Sequence, residues 1–106
     1  MKDLNITKVT LNSIAVSWTP GYSGGENLVQ SFLVDYRAYT ENTPGEWSEA
    51  VEITNGDTHY EVTGLLEETT YDIRVISKND IGRNEDGQII NGMTRKYQSL
   101  HGYLRL

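Results

Sequence analysis

Alternation with a period of two, broken every few residues by turn chemistry, is what most limits the folds open to this chain. Ile14, Val16 and Trp18 alternate with Ala15 and Ser17 before Thr19-Pro20-Gly21 ends the run. Phe32, Val34 and Tyr36 alternate with Leu33, Asp35 and Arg37, and Tyr60 and Val62 alternate with Glu61 and Thr63 up to Gly64. Tyr71, Ile73, Val75 and Ser77 alternate with Asp72, Arg74, Ile76 and Lys78. Successive side chains of a strand point to opposite faces, so each run turns one set toward a core and the other outward. Weaker runs from Leu4 to Thr10, Trp47 to Ile53 and Gln88 to Thr94 fill the rest. The breaks at 21–25, 42–45, 55–57, 66–69 and 79–87 are rich in Gly, Pro, Asn, Asp, Ser or Thr, the residues of turns. No segment sustains a helical stripe over three turns. Seven short strands at intervals of roughly 8–12 residues predict an all-β fold, an antiparallel sandwich.

A chain of 106 residues fits one domain and can bury roughly 60–70% of its unfolded surface. Its charge bounds its partners. Up to Thr94 there are six Lys/Arg against fifteen Asp/Glu, or −9; Arg95, Lys96 and Arg105 then add +3, for a total of −6. So acidic a surface repels phosphate backbones, which excludes nucleic acid as a partner. There is no cysteine, which removes disulfides, thiol catalysis and thiolate metal sites. The compartment stays open, because a sandwich with sufficient core needs no disulfide even outside the cell. No apolar run approaches the ~20 residues of a membrane span, so direct membrane insertion is not expected. No signal-peptide core follows Met1, so a secreted origin implies a segment of a longer precursor.

Several motifs fall in a familiar order. Ser13-Ile14-Ala15-Val16-Ser17-Trp18 resembles strand B of a fibronectin type III domain, with Trp18 as its core tryptophan, and Ser31-Phe32-Leu33-Val34-Asp35-Tyr36-Arg37 resembles strand C. Gly45-Glu46-Trp47 is similar to the opening of strand C′. Most specific are Val62-Thr63-Gly64-Leu65, then Thr70-Tyr71-Asp72-Ile73-Arg74-Val75, then Asn79-Asp80-Ile81-Gly82, which resemble the E–F corner, strand F and the start of the FG loop. The resemblance covers about residues 4 to 94 and implies a seven-stranded antiparallel Ig-like β-sandwich. The domain is set at 1–94, with 95–106 as a tail: a linker, a juxtamembrane segment or sequence foreign to the domain. In such sandwiches a Tyr near the start of strand F bonds backbone a few residues upstream through its hydroxyl. Tyr71 is placed in that role, bonding the corner's carbonyls, with Leu65 as the apolar plug beside it and Tyr36 and Trp18 as further structural aromatics. The sequence departs from the family at Glu67, where Pro is usual, and at Ser77, where Ala is usual. Trp18-Thr19-Pro20-Gly21-Tyr22-Ser23-Gly24-Gly25, followed by Gln30-Ser31-Phe32, is similar to the membrane-proximal modules of Ig-superfamily adhesion receptors of the nephrin and turtle-like kind.

Catalysis fails on inventory. The only histidines, His59 and His101, are separated by most of the domain, and a serine triad needs Ser, His and carboxylate brought together in a pocket. His59 reads as a surface residue. Asn79, Asp80, Asn84, Glu85 and Asp86 gather oxygen ligands, but their spacing does not match a calcium loop, so they read as a solvated turn. No enzyme activity, metal or cofactor is expected. The FG loop carries no Arg-Gly-Asp, and Trp47-Ser48 stands alone without the second half of the cytokine-receptor signature.

Two features stand out as candidate sites. Asn5-Ile6-Thr7 is the only N-glycosylation sequon. The alternation that buries Phe32 and Tyr71 turns Leu33, Arg74 and Ile76 outward, where with Trp47 they form a possible partner-binding patch, Arg74 lying over the indole. The bland reading is that Arg74 and Trp47 merely cover that patch. The tail from Arg95 to Leu106 is too apolar for a typical flexible linker. The resemblance implies a non-catalytic spacer and protein-interaction module of a cell-adhesion ectodomain, extracellular on a single-pass membrane protein and monomeric in isolation. Its expected partners are a protein ligand or neighbouring Ig and fibronectin domains. The alternatives are a cytoplasmic module of a muscle filament protein or an ectodomain module of a receptor phosphatase or kinase.

Overall fold

The computed structural model describes residues 2–20, 31–78 and 87–96. Its strands are β1 (Lys2–Val9), β2 (Ile14–Thr19), β3 (Ser31–Thr40), β4 (Thr43–Pro44), β5 (Ser48–Ile53), β6 (His59–Val62), β7 (Thr70–Lys78) and β8 (Gln88–Met93). Seven coincide with the seven expected runs. The eighth, β4, is a two-residue strand that the alternation could not signal. It forms because Glu41 and Asn42 both adopt positive φ, at 51° and 68°, the geometry of a tight two-residue hairpin. That turn folds Thr43 and Pro44 back onto Thr40 and Tyr39.

Every pairing is antiparallel, and the strands form two sheets, β1-β2-β6 and β4-β3-β7-β8, with β5 also pairing β3. Their inner faces close over one core of Ile14, Val16, Trp18, Phe32, Val34, Ile53, Val62, Leu65, Tyr71, Ile73 and Val75. Ile14, Val16, Val34 and Val75 are wholly buried, each contributing about 1.5–3 kcal/mol by leaving water. The Trp18 and Phe32 rings meet edge to face at 5.3 Å, and Tyr36 leans on Tyr71 at 6.3 Å. All four structural residues singled out from the sequence, Trp18, Tyr36, Leu65 and Tyr71, belong to this core or pack against it. Ser77 is buried opposite Phe32.

The corner between β6 and β7 closes by hydrogen bonds, with one reversal of the expected sense. The Leu66 N–H donates to the Tyr71 hydroxyl at 2.8 Å, so the phenol oxygen accepts from an amide rather than donating to a carbonyl. The Leu66 carbonyl is taken instead by Thr94, whose buried hydroxyl donates to it at 2.6 Å and accepts from the Thr69 N–H at 3.0 Å. Arg95 is bound into the same corner: its N–H donates to the Thr10 carbonyl and its own carbonyl accepts from Glu68.

β1 and β8 run side by side in the same direction. Leu4 at the start of β1 bonds the Gln88 side chain at the start of β8, and Arg95 just past β8 bonds Thr10 just past β1. Gly92 lets them approach, since a Cβ there would stand 2.5 Å from Ile6 Cδ1.

Candidate protein-interaction face

The outward face of the larger sheet is organised by two copies of Asp-x-Arg. Asp35 and Arg37 lie two apart on β3, and Asp72 and Arg74 lie two apart on β7. Because the strands are antiparallel and in register, Asp35 stands opposite Arg74 and Arg37 opposite Asp72. Directly opposed side chains of opposite charge attract. Arg74 reaches Asp35 Oδ2 through Nη2 at 2.7 Å and Nε at 3.3 Å, and Arg37 reaches Asp72 Oδ2 through Nε and Nη2, both at 2.9 Å.

These pairs hold the guanidinium groups in place, and both lie against the Trp47 ring. The Arg74 guanidinium carbon lies 4.1 Å from the indole centroid and that of Arg37 lies 4.3 Å away. The Arg74 contact is the one expected from the alternation; the second guanidinium is a finding of the structure. A cation over an indole is attracted by the ring quadrupole, by about 0.5–1 kcal/mol where water still reaches it.

Asp72 is the hub. It is 4% exposed and also accepts from the Tyr39 hydroxyl and from Asn91 Nδ2, each at 2.9 Å. Burial, the largest single influence, pushes its carboxyl up. The bonds from Asn91, Tyr39 and Arg37 and the Arg37 charge together outweigh that and hold it below the usual carboxylate range. The same bond to Asp72 raises the Tyr39 phenol, since a donor held by a carboxylate gives up its proton less readily.

The expected apolar spot is not where the alternation put it. Leu33 is half-buried on this face, but Ile76 is only 1% exposed. Gly87 lies directly over it, close enough that a Cβ there would stand 2.8 Å from Ile76 Cγ1. Ile76 is therefore no open contact residue. The exposed large apolar side chains of this face are Ile89 and Met93 on β8, 53% and 52% exposed, opposite Arg74 and Thr70. Sequence reasoning missed them because β8 reads as a weak run whose register on β7 was unknown.

His59 is exposed at the start of β6, as expected. The oxygen-rich segment 79–86, the loop 21–25 and the tail beyond Lys96 lie outside the described residues. Among the described residues no three of His, Cys, Asp and Glu gather as a metal site. An open polar cleft of about 460 Å³ borders the β3–β4 turn, lined by Tyr39, Glu41, Asn42, Glu68, Thr69, Thr70 and Asn91.

Two antiparallel sheets pinned over a Trp–Tyr core, with a tyrosine closing the corner before β7, define an immunoglobulin-like sandwich module. The family model for the Fibronectin type III domain matches residues 1–93. The chain belongs to that family. It is 35% identical over 91 residues to protein turtle of Drosophila melanogaster, an alignment covering 85% of this chain and 6% of that protein. It is 29% identical to receptor-type tyrosine-protein phosphatase F of Danio rerio and 26% identical to the human cell adhesion molecule DSCAML1, covering 86% of this chain and 4% of each relative. The fold superposes on a crystal structure of titin domains with a TM-score of 0.73 at 24% identity, covering 90% of this chain and 31% of that one. It superposes on the fn3 domain of human collagen alpha-1(XX) chain with 0.71 at 22%, covering 92% and 86%. The chain thus spans a small part of the curated relatives it matches, and its resemblance to adhesion-receptor modules is met in turtle and DSCAML1.

Proposed function

We propose that this chain is a spacer and protein-docking module in the ectodomain of a single-pass cell-adhesion receptor, with no chemistry of its own. The observation that carries the spacer role is the parallel course of β1 and β8. The chain enters beside Thr19, the Cα partner of Lys2, and leaves at the opposite end beside Thr10. Eight residues of β1 at about 3.4 Å per residue separate the two ends by about 25 Å. A module threaded in this way sets its neighbours apart and adds its length to an array. Residues 95–106 then lead toward the next element, after the Arg95 backbone is tied down. The similarity to turtle and DSCAML1 supports the adhesion setting, whereas the likeness to titin is one of fold.

The docking role belongs to the outer face of β3, β7 and β8, with Leu33, Trp47 and Arg74 at its centre and Ile89 and Met93 at its edge. Aromatic and arginine side chains held rigid before binding lose little entropy when a partner arrives. The full-length parent chain tests both parts. Labelling of intact cells by a membrane-impermeant reagent is expected; labelling only after permeabilisation would refute the ectodomain assignment. Leu33→Glu with Ile89→Glu is expected to abolish partner-dependent cell aggregation at unchanged surface level. Aggregation equal to the parent's would refute the docking face.

A further inference from the structure

We infer that Asn5 carries an N-linked glycan that screens the smaller sheet and leaves the larger one as the face open to partners. The inference rests on the ectodomain reading, because only a chain that enters the secretory pathway meets the transferase. Asn5-Ile6-Thr7 has the acceptor pattern, an Asn followed two residues later by Thr with no intervening Pro.

The structure makes Asn5 a fit acceptor in three ways. It is exposed, as is Thr7, while Ile6 between them packs toward the core, so both acceptor side chains stand on the solvent face of β1. The Asn5 carboxamide is held in place: Nδ2 donates to the Asp3 carbonyl at 2.9 Å, and Oδ1 accepts from the Ser17 hydroxyl at 3.5 Å. An amide nitrogen has two hydrogens. One serves Asp3, so the other can be replaced by a sugar without breaking that bond. Finally, the surface around it presents Ala15 and Ser17 from β2 and His59 and Glu61 from β6, and none of these is a large apolar side chain that a partner would need to cover.

A glycan there occupies the outer face of the β1-β2-β6 sheet, which directs partners to the Trp47 face across the sandwich.

The experiment uses the parent chain expressed in a secretory animal cell and recovered from the surface. Digestion with peptide-N-glycosidase converts an occupied Asn to Asp, which mass spectrometry of the peptide spanning Asn5 reads directly. Conversion is expected in the parent chain and in Thr7→Ser, and none in Asn5→Gln or Thr7→Ala. Surface-labelled protein whose Asn5 is bare overturns the glycan and leaves the ectodomain reading standing. Protein that never reaches the secretory pathway overturns both. Screening has its own readout. A rigid probe protein coupled through maleimide to Ser17→Cys is expected to react more slowly on the glycosylated chain than on Asn5→Gln. Equal rates overturn the screening.

Discussion

Replacing Asp72 with Asn tests whether the outer face is organised around one buried charge. In the parent chain Asp72 accepts from Arg37 Nε, the Tyr39 hydroxyl and Asn91 Nδ2, each at 2.9 Å. Hydrogen bonds to a charged group contribute about 1.5–3 kcal/mol each, and breaking a fully buried ion pair costs about 3–5 kcal/mol. The Arg37 side chain, however, is 24% exposed against 6% for Asp72, so water recovers part of what the guanidinium loses. The Asn amide keeps one acceptor but sets its NH₂ against donors. The net cost expected at neutral pH is about 2 kcal/mol, or roughly 10 °C in Tm for a domain of this size. The dependence on pH is the sharper test. A carboxyl held below its unfolded value of about 3.9 contributes stability that is present above that pH and lost as pH falls through the folded value. Urea midpoints of the two proteins should differ fully at neutral pH, converge below about pH 4 and coincide in stronger acid. A neutral-pH difference under about 0.5 kcal/mol, within the range of an ordinary surface substitution, would refute the hub. So would a difference that stays constant into acid.

Tyr71→Phe removes the acceptor of the Leu66 N–H and is expected to cost about 1 kcal/mol; an unchanged denaturation midpoint would count against the corner's geometry. Trp47→Ala removes both guanidinium contacts, for about 1–2 kcal/mol in sum, and should shift fluorescence to the blue because Trp18, 4% exposed, then emits alone. Gly87→Ala sets a Cβ against the Val75 carbonyl, which is backbone, whereas Gly92→Ala meets the end of the Ile6 side chain. The first is expected to lower Tm more than the second, and the reverse order would show that β8 is not held where the structure has it.

Much of this molecule was legible in the residues because period two and turn chemistry are local signals. Trp18, Phe32, Tyr71 and Leu65 could be assigned to a core without knowing which strand pairs with which, and Trp47 could be matched with Arg74 because strands C and F are neighbours in the family. The fate of the outward positions was harder to read. Asp72 read as an ordinary solvent-facing carboxylate, Ile76 as an exposed contact and Thr94 as the last residue of a strand. Alternation says which face a side chain takes, but not what covers that face.

The all-β character, the antiparallel sandwich and the lack of thiol chemistry belong to the sequence itself, since a short amphipathic strand can bury its apolar side only against another layer. Register belongs to the folded chain. Two Asp-x-Arg segments thirty-seven positions apart (35 to 72) become two directly opposed ion pairs beside Trp47 only because β3 and β7 meet with Asp35 opposite Arg74. A slip of one residue would send every one of those side chains to the other face. Gly87 settling over Ile76 and Thr94 closing on Leu66 are likewise contacts between distant segments. They exist only once loop closure has brought those segments together, and no window of neighbouring residues contains them.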